Sequence, residues 1–569
     1  MRVGSRRLSW IIGGLLGLGL GQGSGGRLAD EGLVARGNKG AVVSAEKHAS
    51  QVGLEVLRSG GNAIDAAVAT FLTLAVTFPA AGNLGGGGFM VIRLADGRSA
   101  AIDFRETAPG RGHRDMYLKN DGSVDPEKSR LGATAVGVPG SPAGVALALE
   151  KFGTRPLKEL AAPAIRLARE GFEVSASLAG SLRGSARLFA RYPSTKKVFF
   201  KEGRPLGEGD LLVQEDLAGT LERFVARGPR GFYRGKTAKD LVAQMARDGG
   251  YIELDDLKHY RPKIRDVLRG TYRGHEILSM PPPSSGGIAL VQMLNIIESH
   301  DLAAMGSGSR DCIHLMSEAM RRAYADRARW LGDSDFFPVP VEGLLSKDYA
   351  KKIGANLRMD KVSEVAPGLP AGAKEGDDTT HFSVLDAMGN AVSCTTTLNS
   401  SFGSGLVAEG TGVLLNNEMD DFSAKPGVPN QFGLVGGEAN AIEPGKRMLS
   451  SMTPTIIIKD GKVRCVLGSP GGGRIINTVF QVTLNLLDHA MPLPEAVGAP
   501  RVHHQWKPDY LFYERGSLSG EVRAELLEMG HHFARGPRGI GRCQAIAVEA
   551  DGSIIGASDP RSGGTAMAY

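Results

Sequence analysis

The chain has 569 residues, 42% of them hydrophobic and 22% charged, a composition that excludes a disordered, collagenous or polytopic membrane protein and allows a large buried core. Its 67 Lys and Arg against 61 Asp and Glu leave a net charge of +6, spread along the chain without the aromatic interleaving of a nucleic-acid groove, so no nucleic acid is expected as a partner. Gly accounts for 79 of the residues, about twice the average share of ~7%, in short clusters without a fixed period, which points to tight turns and not to a repeat fold.

Residues 1–30 run from Arg2, Arg6 and Arg7 through the apolar stretch Leu8–Leu20 to the small, polar Gly21–Gly26, the order of a cleaved export signal. The apolar stretch is shorter than the ~20 residues that span a bilayer. No stable membrane span is expected, and the mature protein, from about residue 31, is predicted to be periplasmic or secreted.

With Ser44 as N-cap, Ala49, Val52, Val56 and Leu57 before Gly60-Gly61 predict a helix, and a second helix over about 63–77 stops at Pro79. Val91–Phe104 alternates about Asp96-Gly97 and predicts a β-hairpin. Cys312, Leu315, Met316, Ala319, Met320 and Ala323 recur at helical spacing and predict an amphipathic helix over 311–331. From about 340 to 378 the sequence loosens into Lys, Gly, Pro and Asp and is read as a flexible segment with an acidic end, Gly376-Asp377-Asp378. It changes abruptly at Thr379 into an alternating strand through Asp386, a turn at Met388-Gly389-Asn390 and a return strand from Ala391 to Thr397. Two more hairpins are predicted, Thr455–Leu467 about Asp460-Gly461 and Ala545–Ile555 about Asp551-Gly552. Antiparallel hairpins with helices before and between them make an α+β body of layered sheets and helices. The four cysteines, Cys312, Cys394, Cys465 and Cys543, lack CxxC spacing and are read as buried thiols. The pairs His503-His504 and His531-His532 point to opposite faces of a strand and suit chelation poorly, so no metal is expected.

Thr379 is the position where chemistry can enter. A threonine hydroxyl is a weak nucleophile, but cleavage of the Asp378–Thr379 bond would give Thr379 its own α-amine, with a reference pKa of roughly 7.7–8.0, as the activating base. Read alone, the Thr-Thr pair is simply the start of a strand, Arg105 a strand-end ion pair, and Glu418 with Asp421 a solvated acidic turn. The Gly471–Gly473 run lacks the spacing of a nucleotide-binding loop.

Taken together, Thr379-Thr380-His381, Thr395-Thr396-Thr397-Leu398-Asn399, Asn416–Phe422, Ser450–Pro454, Gly468–Arg474 and Asp559–Ser562, preceded by Gly82–Phe89 and Asp103–Glu106, resemble the γ-glutamyltransferases (γ-glutamyltranspeptidases) of the N-terminal nucleophile hydrolase superfamily. The resemblance implies the layered αββα fold of that superfamily and a heterodimer formed by self-cleavage of one precursor: a large subunit, 31–378, and a small catalytic subunit, 379–569. It implies Thr379 as nucleophile of both the self-cleavage and the catalysis, with Thr397 supporting the new amine. By the same resemblance Arg105 binds the substrate α-carboxylate, Ser450 and Ser451 assist it, and Asn399, Glu418 and Asp421 hold the α-ammonium. The N–H groups of Gly471 and Gly472 correspond to an oxyanion hole. The expected donor is glutathione or another γ-glutamyl compound, the acceptors are water, amino acids or dipeptides, and no cofactor is needed. Related alternatives are a glutaryl or cephalosporin acylase, an enzyme acting on poly-γ-glutamate, and a non-catalytic binding protein. Pro426–Asn440 resembles a lid loop, with Phe432 where some bacterial members carry a tyrosine, so closure is expected to rest on ring packing and not on a hydroxyl bonded to Asn399.

Overall fold

The computed structural model describes residues 32–365 and 379–569, so the export signal read at 1–30 and the end of the segment before Thr379, Asp378 included, lie outside the described residues. Its frame is two seven-stranded sheets, antiparallel at every pairing. The first has the order Thr565–Ala568, Ala41–Ser44, Thr379–Leu385, Ala391–Thr397, Gly87–Arg93, Ser99–Asp103, Lys263–Arg265. The second has the order Val34–Gly37, Ile554–Ser558, Gln544–Val548, Lys462–Gly468, Thr455–Lys459, His275–Ser279, Leu268–Tyr272.

Because side chains alternate along a strand, each sheet buries two faces. Phe89, Val91, Ile456, Ile458, Val466 and Ile546 pack between the sheets. Met90, Ile92, Phe382 and Val384 turn the other way, under the helices Lys47–Arg58, Ala63–Thr77 and Ser141–Phe152. Ile457, Cys465 and Leu467 do the same under Gly286–Ile297, Arg310–Trp330 and Arg474–Leu487. The body is therefore a four-layer αββα sandwich of the α+β class.

All three Asp-Gly hairpins form, with Gly97, Gly461 and Gly552 in left-handed backbone at φ 100°, 77° and 85°. The first helix is capped by Glu46, whose carboxylate accepts the Ala49 N–H, while Ser44 ends a strand and donates to the Glu46 carbonyl. The stretch from 340, read as loose, carries two helices, Val341–Leu345 and Lys347–Ala355. Ser346 caps the second, and burial of Leu344 and Ala350 draws both against the second sheet's helices. The glycines of the Gly82–Gly88 motif do not make turns: none has a positive φ. They permit close approach instead, since a Cβ on Gly86 would stand 2.0 Å from the Thr397 carbonyl oxygen.

One feature of the stacking places the chemistry. The odd-numbered residues of Thr379–Leu385 and Ala391–Thr397 face the second sheet and form a polar seam. His381 Nδ1 meets Thr395 Oγ1 at 2.9 Å and its Nε2 meets Ser383 Oγ at 3.1 Å. Ser383 Oγ lies 3.3 Å from the Val466 carbonyl and 3.0 Å from that of Gln544, and Ser393 Oγ donates to the Leu467 carbonyl. Gly468 covers His381 so closely that a Cβ there would lie 2.4 Å from the imidazole. Gly468→Ala is therefore expected to force the sheets apart locally and cost about 1–3 kcal/mol, as overpacking does. Chemical denaturation measures this, and an unchanged midpoint would show that the seam is not what sets the sheet spacing.

Candidate active site

The seam ends at Thr379. Its strand pairs with Ala391–Thr397 in a register that sets Thr379 opposite Thr397, and the two hydroxyl oxygens are 3.4 Å apart. Across the sandwich Ser383 is level with Val466 and His381 with Gly468, so the next step carries Ser469–Gly472 toward the Thr379 end. Gly471 and Gly472 take the left-handed backbone, φ 133° and 52°, just before the Arg474–Leu487 helix. Thr379 is 7% exposed.

From Thr397 a chain of bonds leads to a buried charge cluster. The Asn399 N–H donates to Thr397 Oγ1 at 2.7 Å, and Asn399 Nδ2 donates to the Asn417 carbonyl at 2.9 Å. Asn417 opens the short turn Glu418–Asp421. Arg105 follows the strand Ser99–Asp103 and is fully buried; Asp103 Oδ1 accepts its N–H and the Tyr260 hydroxyl donates to its carbonyl. Its guanidinium donates to Glu418 Oε1, and to Asp421 Oδ2 at 2.6 Å. Glu106 Oε2 stands 3.6 Å from the same guanidinium.

Three buried or nearly buried carboxyls, those of Glu418, Asp421 and Glu106, thus surround one guanidinium, and Asp420 lies beside them in the same turn. Burial pushes Glu418 and Asp421 above the usual carboxylate range, against the pull of Arg105. It pushes Glu106 up to about 8 and Asp420 up to about 6. Burial acts to lower the pKa of Arg105 as well, but the attraction of Glu418, Asp421 and Glu106 outweighs it. The acidic turn is not solvated: the Glu418 side chain is 1% exposed and that of Asp421 11%.

The Pro426–Asn440 segment closes over this cluster. Asn430 Nδ2 donates to Asp421 Oδ1 at 3.1 Å, the Gln431 N–H to Asp420 Oδ2, and Asn440 Nδ2 to the Asp421 carbonyl. Phe432 is buried against Gly472, where a Cβ would meet the ring at 2.8 Å. The contacts therefore run from Thr379 through Thr397, Asn399, the acidic turn and Asn430 to Phe432, and end at Gly472. Ser450 and Ser451 also lie in this neighbourhood, tied to it by a residue that motif reading passed over. Arg327 donates to Ser451 Oγ and to Ser285 Oγ, and its charge acts on Asp421. The available signal was positional, since Arg327 lies four residues past Ala323 on the apolar stripe of its helix.

A buried guanidinium among clustered carboxylates, joined by hydrogen bonds to a pair of hydroxyls, suits the charges of a zwitterionic amino-acid head. All four cysteines are buried and free, and among the described residues no group of three or more His, Cys, Asp or Glu could hold a metal ion.

The model of the gamma-glutamyltranspeptidase family matches residues 49–569. The glutathione hydrolase proenzyme of Escherichia coli (strain K12) is 49% identical over 531 residues, 93% of this chain and 91% of the relative. The Acylase ACY 1 proenzyme of Pseudomonas sp. (strain V22) is 41% identical over 540 residues, 94% of each chain. A crystal structure of cephalosporin acylase from Bacillus halodurans superposes with a TM-score of 0.85 at 26% identity, over 97% of this chain and 99% of its own.

If an ammonium-bearing ligand binds at these raised carboxyls, its binding is expected to depend on pH: as pH falls, protons reach Asp421 and Glu418 before ordinary carboxylates of pKa about 4, and the ammonium loses its anions. Calorimetric titration with L-glutamate is expected to show affinity falling on acidification, with a midpoint above the ordinary carboxylate range. Asp421→Asn is expected to flatten that step and weaken binding about 10–100-fold, the equivalent of one charge-assisted hydrogen bond of ~1.5–3 kcal/mol.

Proposed function

The chain belongs to the γ-glutamyltranspeptidase family, and from that premise we propose that it is an exported glutathione hydrolase and γ-glutamyltransferase that cuts itself between Asp378 and Thr379. Thr379 Oγ1 attacks the Asp378 carbonyl, and an N-to-O acyl shift turns the peptide bond into an ester. Water hydrolyses the ester, leaving 31–378 as the large subunit and 379–569 as the small one, which now begins with a free α-amine. The order of basic, apolar and small residues in 1–30 supports export of the precursor.

In turnover the α-amine of Thr379 takes the hydroxyl proton as Oγ1 attacks the γ-carbonyl of the donor. The N–H groups of Gly471 and Gly472 receive the oxyanion, a contribution that typically amounts to about 2.7–4 kcal/mol per donor. The proton passes to the leaving amine, which is cysteinylglycine when glutathione is the donor, and a γ-glutamyl ester of Thr379 remains. Water releases glutamate; the amino group of an amino acid or dipeptide takes the acyl group instead and forms a new γ-glutamyl bond. Thr397, beside Thr379, supports the amine.

The observation that carries this reading is the pairing of Arg105 with Glu418 and Asp421 in one buried cluster joined by hydrogen bonds to Thr397. A γ-glutamyl head brings a carboxylate for Arg105 and an ammonium for the two carboxylates that Arg105 releases. The acylase alternative has support in the 41% identical relative. A glutaryl head, however, has no ammonium and would take Arg105 away from two buried carboxylates without replacing it, and breaking a buried pair in that way costs about 3–5 kcal/mol. Phe432 packed on Gly472 leaves little access for a polymer, and a mere binding protein has no use for Thr379 opposite Thr397.

Intact-mass measurement and N-terminal sequencing of the purified protein are expected to find a chain that begins Thr379-Thr380-His381. Thr379→Ala, with no oxygen to attack, is expected to stay uncut. A wild-type chain that stays whole on long incubation, or an alanine variant that matures at the same bond, would overturn the assignment.

A further inference from the structure

Arg327 is a buried guanidinium for which none of the roles above accounts. It sits where the Arg310–Trp330 helix presents its apolar stripe, and among the described residues no carboxylate lies within 4.0 Å of it, the limit for an ion pair. Its hydrogen-bond partners among the described residues are hydroxyls: Nε donates to Ser285 Oγ at 3.0 Å and Nη2 to Ser451 Oγ at 3.2 Å. Burial holds its pKa below the usual arginine value, with Tyr324 and Asp421 pulling the other way. If that position served packing alone, an apolar residue would continue the stripe of Cys312, Met316, Met320 and Ala323 without burying a charge.

The direction of these bonds has a consequence for Ser451. A guanidinium can only donate, so the oxygens of Ser285 and Ser451 must accept. Ser285 then sends its own hydroxyl proton to the Ser450 carbonyl at 2.6 Å, a carbonyl that its N–H also reaches at 2.8 Å. This fixes the backbone at Ser450. Ser451 Oγ has no other hydrogen-bond partner among the described residues, so its proton is left to donate. Ser450 Oγ likewise accepts, from the Met452 N–H at 3.1 Å, and keeps its proton.

We propose that Arg327 is a positioning residue for the α-carboxylate of the substrate: by donating to Ser451 it orients that hydroxyl as a donor to the carboxylate, through Ser285 it holds the backbone that carries Ser450, and it adds a second positive charge behind them. The proposal rests on the γ-glutamyltransferase reading and deepens it, since it makes selection for the α-carboxylate depend on a residue of the large subunit's helix layer.

The test uses the mature enzyme, with γ-glutamyl-p-nitroanilide as donor and two competitive inhibitors, L-glutamate and 4-aminobutyrate, the second lacking the α-carboxylate. Arg327→Met is expected to raise KM about 10–100-fold with kcat changed less than about threefold. It should weaken inhibition by L-glutamate in the same proportion and leave that by 4-aminobutyrate within about twofold. Adding Ser451→Ala to Arg327→Met should cost less than about twofold more, because the serine has already lost its orientation. Equal losses on both inhibitors, a loss in kcat alone, or fully multiplicative effects of the two substitutions would overturn the proposal. If Arg327→Met does not mature, Arg327→Lys carries the test: a lysine keeps the charge but lacks the fork, so it should mature and still show the raised KM, and a wild-type KM in that variant counts against the idea. A wild-type enzyme that matures but leaves γ-glutamyl-p-nitroanilide untouched defeats the functional reading instead.

Discussion

The site is organised by a guanidinium that water does not reach. Arg105 is bound to Glu418, 313 residues away in sequence, and to Asp421, and every neighbouring segment is arranged to keep that contact. Behind it, Asp103 is held by Arg265 at 2.8 Å and by Arg447 at 3.2 Å, so the strand that delivers Arg105 is itself anchored by charge. Buried ion pairs contribute little net stability compared with apolar packing, which makes the cluster hard to explain as a fold-stabilising device. It is easier to explain as a site already filled by its own groups. On the proposed reading, Glu418 and Asp421 hold the guanidinium that a substrate carboxylate would take, and Arg105 holds the carboxylates that an ammonium would take, so a zwitterion would exchange these partners one for one.

The proposed nucleophile, Thr379, depends on a different constraint, the spacing of the two sheets. Thr379, His381 and Ser383 share one face of a strand, and His381 is a tempting general base two residues from the hydroxyl. Its geometry argues otherwise: both ring nitrogens are occupied, by Thr395 and Ser383, and burial holds its pKa down at about 3. The imidazole is a neutral spacer in the seam. That leaves an α-amine, once released, as the base within reach, with an intrinsic pKa near neutrality.

Local signals made much of the frame legible. The Asp-Gly hairpins and the helix Ala63–Thr77 follow from residues within a few positions of one another, and they stand where the pattern put them. The strand at Thr379 did too, because a composition change marks its first residue. What periodicity could not supply was burial across long separations. Glu418-Met419-Asp420-Asp421 looks like a solvated turn until Arg105, 313 residues before Glu418, packs into it, and only the resemblance of separate motifs linked them beforehand. Val341–Ala355 was misread because its helices are short and depend on packing against neighbours. The Gly82–Gly88 run was misread because a glycine that admits a neighbouring backbone looks, in sequence, like one that makes a turn.

The kinship with acylases sharpens the question of what sets donor choice. A chain that superposes at a TM-score of 0.85 with only 26% identity shares its whole frame with such an enzyme, so selectivity has to lie in the side chains and not in the fold. Asp421 is the position where two requirements meet. Its Oδ2 takes Arg105 and its Oδ1 takes Asn430, which belongs to the segment that carries Phe432 onto Gly472. On the proposed reading, an ammonium taking the place of Arg105 at Oδ2 would leave Oδ1 to Asn430, so the head group would be exchanged without loss of that contact. A head group without an ammonium would, on the same reading, leave Asp421 with an unpaired buried charge or force a proton onto it, and either state costs free energy.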